Sequence, residues 1–212
     1  MGKASKKYEL TSETKTIDGH ILHRIRALKN INFTKSHMGN KYTIKIKQGE
    51  TGGFVESEDN LTQAGNSWIF DNACAYQNAK IADNACLTNN ARAFGNSVIS
   101  SYARISDNAQ AYDNSRIRGN SFICKHAQIH QNAVIEHGQI SDYAQIHGNA
   151  IINCEYGQIG GHCDISGNTI ITDNINLKGN VIIKGSDVEN YSETANPEIV
   201  RQINNIIKKN SF

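Results

Sequence analysis

Residues 67–183 repeat a unit of six residues, and this period constrains the fold more than any other feature of the sequence. In all but the last two units, which begin at Ile175 and Val181, a small residue is followed two positions later by an aliphatic residue or Ala, as in Ala103 and Ile105. The unit occurs 20 times, with one residue missing before Gly138 and one added before Gly157. Asn precedes the small residue in 14 of the 20 units, and Tyr or His does so in the other six. So short a period predicts a solenoid built from stacked, similar coils.

The spacing within the unit predicts short strands joined by tight corners. Residues two apart point to the same side of a strand, so the small and aliphatic positions face inward and their neighbours face outward. The next two positions, such as Asp107 and Asn108, are residue types that turn the chain with φ above zero at little cost. Three units make one coil with three sides, so we expect residues that are three units apart to lie above one another. The inward residues then form one apolar column.

The unit resembles the motif of the hexapeptide-repeat, left-handed parallel β-helix family, in which an aliphatic residue is followed four positions later by a small one. Ile105 and Ala109 match this motif, as do Ile117 and Ser121, and the resemblance covers about residues 61–185. The resemblance implies an all-β fold, a left-handed parallel β-helix of about 6–7 triangular coils. Because this motif encodes a column and its corners, it implies no particular function.

The ends of the chain predict caps, since the open edges of a β-helix would otherwise pair with other chains. Asp18-Gly19 marks the turn of an N-terminal hairpin. A short helix is predicted over residues 196–209, packed either on the last coil or on another subunit. The chain thus divides into an N-terminal β cap over 1–55, the β-helix over 56–185 and a C-terminal segment with its capping helix over 186–212.

Two further stretches carry a more specific resemblance than the repeat. Residues 8–28, YELTSETKTIDGHILHRIRAL, and residues 51–73, TGGFVESEDNLTQAGNSWIFDNA, are similar to the openings of phage and prophage hexapeptide-repeat proteins and of bacterial YdcK-type proteins. The resemblance implies a phage-borne accessory protein. It brings no established catalytic residue, because the YdcK-type proteins are described as acetyltransferases on their fold alone.

Stacking residues that are three units apart places a row of aromatic and His side chains on one outward face, beside a row of Arg and Gln. Such a face offers apolar contact together with hydrogen-bond donors, which suits protein recognition, and its rings could also stack on bases. Alternatively, similar residues stack only because pairs between coils stabilise the solenoid. The candidate binding surface comprises Tyr76, Arg92, Phe94, Gln110, Tyr112, Gln128, His130 and His147.

A second outward row on another face consists of β-branched residues. Exposed apolar rows suggest contact between subunits, whereas β-branched residues are also simply good strand formers. A homodimer or homotrimer is one expectation, and a purely structural row is the other. The candidate subunit contacts are Val98, Val134, Ile151 and Ile170.

Catalysis is a further alternative. Hexapeptide acyltransferases, which this chain resembles in its repeat, bind acyl-CoA between neighbouring subunits of a trimer and use a His as general base. They usually carry a long loop that closes over the substrate, and no such loop interrupts the repeat here. His126, His137 and His162, at corner positions, are the candidate catalytic bases. Since no Cys or carboxylate lies at metal-ligand spacing beside them, we predict no metal, and we predict no cofactor.

The composition of the chain indicates which partners and which cell compartment to expect. The 22 basic and 20 acidic residues leave a net charge of +2, which favours neither nucleic acid nor a membrane surface. The basic residues Lys3, Lys6 and Lys7 are expected to be solvated. Five cysteines without Cys-x-x-Cys spacing indicate a reducing compartment. With no apolar run long enough to span a membrane and no leader segment, we expect a cytoplasmic protein, in the host cell if a phage encodes it.

The sequence therefore favours a non-catalytic binding protein of phage or prophage origin, which presents a rigid β-helix face to a host macromolecule. A host protein or ribonucleoprotein is the expected partner, rather than free nucleic acid. Interference with a bacterial defence system, for instance by blocking a CRISPR nuclease, is the first role to test. The alternatives are an acyl-CoA-dependent acyltransferase and a structural or assembly protein.

Overall fold

A computed structural model describes residues 6–37, 40–172, 174–185, 187–190 and 201. These residues form a parallel β-solenoid of about seven turns, which confirms the predicted all-β class and the left-handed β-helix-like architecture. The helix predicted over 196–209 lies, apart from Arg201, outside the described residues. One short 3-10 helix covers Glu58–Asn60.

The strands of the repeat are mostly two residues long, because each side of a coil is only six residues long. In chain order they are β1 (Tyr8–Ile17), β2 (His20–Ala27), β3 (Ile31–His37), β4 (Asn40–Ile46), β5 (Thr51–Val55), β6 (Trp68–Ile69), β7 (Cys74–Ala75), β8 (Lys80–Ile81), β9 (Cys86–Leu87), β10 (Arg92–Ala93), β11 (Val98–Ile99), β12 (Arg104–Ile105), β13 (Gln110–Ala111), β14 (Arg116–Ile117), β15 (Phe122–Ile123), β16 (Gln128–Ile129), β17 (Val134–Ile140), β18 (Gln145–Ile146), β19 (Ile151–Ile159), β20 (Asp164–Ser166), β21 (Ile170–Ile171), β22 (Asn176–Leu177), β23 (Val181–Lys184) and β24 (Asp187–Asn190).

The coils have three faces, each a ladder of parallel strands. Face A comprises β7, β10, β13, β16, β18, β20 and β23. Strands β5, β2 and β1 extend it at the N-terminal end of the solenoid, which we call the lower end, and β24 extends it at the C-terminal, upper end. Face B comprises β6, β9, β12, β15, the C-terminal parts of β17 and β19, and β22. Face C comprises β8, β11, β14, the N-terminal parts of β17 and β19, and β21.

The register of the faces is the predicted one. Arg92 pairs with Gln110, which lies three repeat units further along the chain. The inward side chains of Ala109 and Ile117 are 0% exposed, as the apolar column requires. The two irregular repeat units lie on top of each other, since β17 and β19 pair through the corner where one unit lacks a residue and the next has one more. The two irregularities therefore offset each other in a single corner, and the stack continues above it.

Two residues with different roles form each corner. The residue before the Asn takes the left-handed conformation, as at Asp107 with φ 59° and Gly119 with φ 65°. The Asn itself, at most corners, can bond along the stack: the Asn78 side chain donates to Asn96 at 3.0 Å, and Asn96 donates to Asn114 at 3.0 Å. The abundance of Asn thus reflects hydrogen-bonded ladders between coils as well as turn formation.

The N-terminal residues close the lower end of the solenoid. The Tyr8 hydroxyl donates to the carbonyl of Leu61 at 2.7 Å, and its ring lies edge-on to Trp68. The expectation of a solvated basic cluster is wrong for Lys7, which is 0% exposed. Its ammonium group donates to the Ser67 carbonyl at 2.9 Å and to the Ser67 hydroxyl at 3.1 Å. Burial lowers the pKa of Lys7 to about 8, and the nearby charge of Lys29 adds to this shift.

A second hairpin, β3–β4, stands over the lower part of face B. Its strands pair from Ile31 with Ile46 to His37 with Asn40. Phe33 of this hairpin packs edge-on against Phe70 of face B, with 6.2 Å between the ring centroids. The hairpin thereby adds a wall to an otherwise flat face.

Candidate binding surface

The predicted aromatic row of face A forms one continuous stack of rings. Its centroids are separated by 5.1 Å between Tyr76 and Phe94, 4.9 Å between Phe94 and Tyr112, and 4.8 Å in each of the two further steps, to His130 and to His147. The angles between successive ring planes are 13°, 3°, 2° and 5°. The stack follows from the register, because each ring occupies the same position of its coil. Each such pair contributes about 0.5–1.5 kcal/mol beyond the area it buries.

The lower end of the ring stack is not accessible, which corrects the predicted surface. Tyr76 is only 1% exposed, because the tip of the β1–β2 hairpin folds over it. The Tyr76 hydroxyl donates to Asp18 at 2.8 Å, and the His20 ring lies 5.4 Å from the Tyr76 ring. Phe94, partly buried, packs against the same cluster. The Tyr76 ring therefore anchors the N-terminal cap, and the accessible part of the row consists of the half-buried rings of Phe94, Tyr112, His130 and His147.

The row of Arg and Gln beside the rings is also partly used within the molecule. The Arg92 guanidinium lies 3.7 Å from the Asp18 carboxylate at the hairpin tip. The Tyr112 hydroxyl donates to the Gln128 side chain at 3.1 Å, which fixes both groups. Gln110 is half-buried and Gln145 is exposed. The row thus offers three amide groups, of which Gln128 is held by Tyr112, and its cation is already close to a carboxylate.

Two histidines end the accessible row, and they differ in their partners. The His147 Nε2 atom lies 2.8 Å from Asp164, whose carboxylate belongs to the next coil. The His130 Nε2 atom is buried and has no hydrogen-bond partner within the described residues. Desolvation lowers the pKa of His130, with a further lowering from His147 and opposing effects from Asp113 and Asp164. His130 is therefore held in its neutral form inside the stack.

We predict that His130→Phe stabilises the protein by about 1 kcal/mol near pH 7.5, because it removes a buried, unpaired nitrogen and keeps the ring stack. This gain in stability should grow as the pH falls below 6.5, which is the ordinary pKa of a His side chain. The lowered pKa means that the unfolded chain takes up a proton there before the folded one does, so the wild type loses stability at acid pH. Urea unfolding between pH 5 and 7.5 measures the difference. Tyr112→Phe is the control, and its difference from wild type should not vary over this range.

Three carboxylates and one His belong to the surface although the sequence did not indicate them. Asp164 continues the row of Gln145 by one coil, so the same register could have identified it. Asp18 and His20 lie on the hairpin, and their approach to Tyr76 has no counterpart in the repeat. Asp113, at a corner, lies 4.0 Å from the His130 ring nitrogen.

The corner residues proposed as catalytic bases fall in two columns. His126, Tyr143 and His162 stack on one another, with 4.9 and 5.0 Å between successive ring centroids. In the other column, the backbone N–H of Asn120 donates to the Nδ1 atom of the His137 ring at 3.4 Å. Across the described ranges, none of these three histidines forms an ion pair with a carboxylate that would orient it as a base. Their catalytic role stays a prediction.

The predicted apolar row lies on face C in the expected register, where Val134 pairs with Ile151 and Ile151 with Ile170. Ile170 is 44% exposed, whereas Val98, Val134 and Ile151 are half-buried. Arg116 interrupts the row between Val98 and Val134. The row is a continuous outward strip, and its role as a subunit contact stays a prediction.

The fold places the chain among parallel β-solenoid proteins whose side chains stack in rows along their faces. A comparison with models of protein families and with curated proteins found no match. In the parts of the chain that the structure describes, no group of three or more His, Cys, Asp or Glu side chains could hold a metal ion. All five cysteines are buried, and none of them forms a disulfide within the described ranges. No helix among the described residues has the length and apolar character needed to span a membrane.

Proposed function

We propose that this protein is a non-catalytic binding protein that uses face A to engage a macromolecule. The observation that carries the proposal is the row of Tyr112, His130 and His147, whose rings are held parallel by the stack. Rings held rigid by stacking lose little conformational entropy on binding, which favours specific recognition, and the neighbouring amides supply hydrogen-bonding groups. The N-terminal hairpin covers Tyr76 at one end of the row, so the accessible surface begins at Phe94.

The spacing of the rings favours a protein partner over free nucleic acid. A base inserted between two rings needs about 7 Å between them, since each stacking contact takes about 3.5 Å. The ring centroids are only 4.8–4.9 Å apart along the accessible row. A partner therefore meets the outer edges of the rings and the amides of the neighbouring row. The near-neutral charge of the chain gives little attraction for phosphate.

The proposal also covers the phage origin of the protein and the cell compartment in which it acts. The similarity of residues 8–28 and 51–73 to phage and prophage proteins supports a phage-derived protein that acts on a host protein or ribonucleoprotein in the cytoplasm. Five cysteines that form no disulfide among the described residues agree with a reducing compartment. Interference with a defence complex, such as a CRISPR nuclease, is the first role to examine.

Affinity capture from host lysate, with mass analysis of protein and nucleic acid, tests the proposal. Tyr112→Ala and Gln145→Glu should each reduce recovery of the specific partner at least about tenfold, because one removes a rigid ring and the other adds a charge to the exposed row. Gln158→Glu is the matched control, since Gln158 has the same exposed position on face B. Thermal unfolding of each variant checks that folding is retained. Capture that survives both face A variants would contradict the proposal.

A further inference from the structure

Face B carries a cleft that the proposed binding surface does not use. Two adjoining depressions, of about 240 and 300 Å³, share Thr88 and Asn89 and lie at the foot of the β3–β4 hairpin. The upper depression is lined by Cys86, Arg104, Ser106 and Phe122, and the lower one by Ile44, Phe70 and Asp71. The cleft exists because a hairpin wall stands beside a face whose outward residues at Thr88 and Ser106 are small.

The upper part of the cleft holds a guanidinium group without a carboxylate partner. Arg104 lies over the ring of Phe122, with 4.5 Å from its Cζ atom to the ring centroid. This contact holds the side chain in place and leaves its N–H donors available. Four arginines of the chain do pair with carboxylates: Arg24, Arg26, Arg92 and Arg118. Arg104 forms no such pair with any residue that the structure describes, although it lies in a concave site.

The lower part of the cleft is apolar on two sides. Phe70 is fixed edge-on by Phe33 of the hairpin, and Ile44 of β4 lines the same depression. Between the two parts lies Thr88, which lines both depressions and carries a hydroxyl group. A cation, a hydroxyl and an apolar slot therefore follow one another along the cleft.

The carboxylates at the rim restrict the charge that the cleft accepts. Asp71 accepts a hydrogen bond from the Asn89 amide at 3.0 Å, and Asp107 accepts one from the Asn89 side chain at 2.8 Å. The Ser106 hydroxyl also faces Asp107, at 3.3 Å, so its proton is directed away from a ligand. One guanidinium beside two carboxylates favours an anion with a single charge over a doubly charged phosphate.

We propose that this cleft binds a small aromatic carboxylate. The carboxylate accepts charge-assisted hydrogen bonds from Arg104 and one from the Thr88 hydroxyl. The aromatic ring enters the slot between Phe70 and Ile44, where it buries apolar surface against both. The lower depression, of about 300 Å³, reaches the lower end of the range for small-molecule sites, and the upper one, of about 240 Å³, lies just below it.

Fluorescence titration of the full chain with 2-naphthoate tests this proposal. We expect saturable binding of one molecule, and at least about tenfold weaker binding of the neutral 2-naphthamide, because the charge-assisted bonds are lost. 2-Naphthyl phosphate should also bind more weakly than 2-naphthoate. Arg104→Gln should raise the dissociation constant for 2-naphthoate at least about tenfold. Arg116→Gln is the matched control, because Arg116 is an exposed arginine without a cleft, on face C.

Thr88→Leu fills the part that the two depressions share and should abolish binding of 2-naphthoate, without the loss of core packing that a change at Phe70 would bring. The proposal is overturned if 2-naphthoate does not saturate, if 2-naphthamide binds equally well, or if Arg104→Gln leaves binding unchanged. Equal losses in Arg104→Gln and Arg116→Gln would overturn it as well. Because Arg104 lies on face B, partner capture by face A should be the same in Arg104→Gln as in the wild type, which keeps the two proposals separable.

Discussion

Gly119→Ala should destabilise the protein by about 4 kcal/mol. Gly119 has φ 65°, and an added Cβ atom would overlap with the carbonyl oxygen of Glu136. The left-handed conformation alone costs Ala about 1–2 kcal/mol, and relief of the overlap requires a backbone shift in two coils. An added Cβ atom also meets the backbone of the next coil at regular corners, at 2.7 Å for Gly95, and the approach is shortest at Gly119, which lies under the unit that lacks one residue.

Gly179→Ala is the control for this prediction. Gly179 also has a positive φ, of 88°, but no atom lies within 4 Å of an added Cβ. Gly179→Ala should therefore lower the unfolding free energy only by what the left-handed conformation costs Ala, about 1–2 kcal/mol. Urea unfolding followed by circular dichroism measures both variants. Equal losses would show that overlap with the neighbouring coil does not determine the cost at Gly119.

Lys7→Met should change how the unfolding free energy depends on pH in the alkaline range. Between pH 8 and 10 the unfolding free energy of the wild type, relative to that of Lys7→Met, should rise by about 2 kcal/mol. The folded protein releases the Lys7 proton near pH 8, whereas the unfolded chain keeps it until about 10.5. Because the unfolded state binds more protons in this window, raising the pH favours the folded state.

The difference between the two proteins is the quantity to measure, because other groups act in the opposite direction. Burial raises the pKa of Cys163 to about 11, so its unfolded form loses a proton first and the folded state loses stability as pH rises above 9. Burial also raises the pKa of Tyr8. Both effects are common to wild type and Lys7→Met, and subtraction removes them. A difference that stays constant from pH 8 to 10, under reducing conditions, would contradict the assignment of a deprotonating Lys7.

The two proposed sites differ in how far the repeat itself defines them. The accessible rings of face A repeat at a fixed position, so their stacking is a property of any regular coil. The cleft of face B depends on the β3–β4 hairpin, which lies outside the repeat and contributes Ile44. Loss of partner capture by Tyr112→Ala and loss of naphthoate binding by Arg104→Gln would therefore report on independent surfaces.

The period of six residues by itself determined the solenoid, its inward column and the stacking of Tyr112 on His130. These features follow from local geometry, because alternation fixes which residues face inward and three units per coil fix which residues meet. The same arithmetic could have added Asp164 to the surface, since it lies one coil above Gln145.

Only the tertiary structure decided which of these positions remain accessible. Tyr76 has the same place in its coil as Tyr112, yet it is buried by Asp18 and His20, which belong to a distant, earlier part of the chain. Lys7 likewise leaves solvent because the carbonyl of Ser67 lies where its ammonium group can reach it. Such contacts depend on how the N-terminal hairpins fold back onto the coils, and no periodic pattern encodes the meeting of segments that do not share the period.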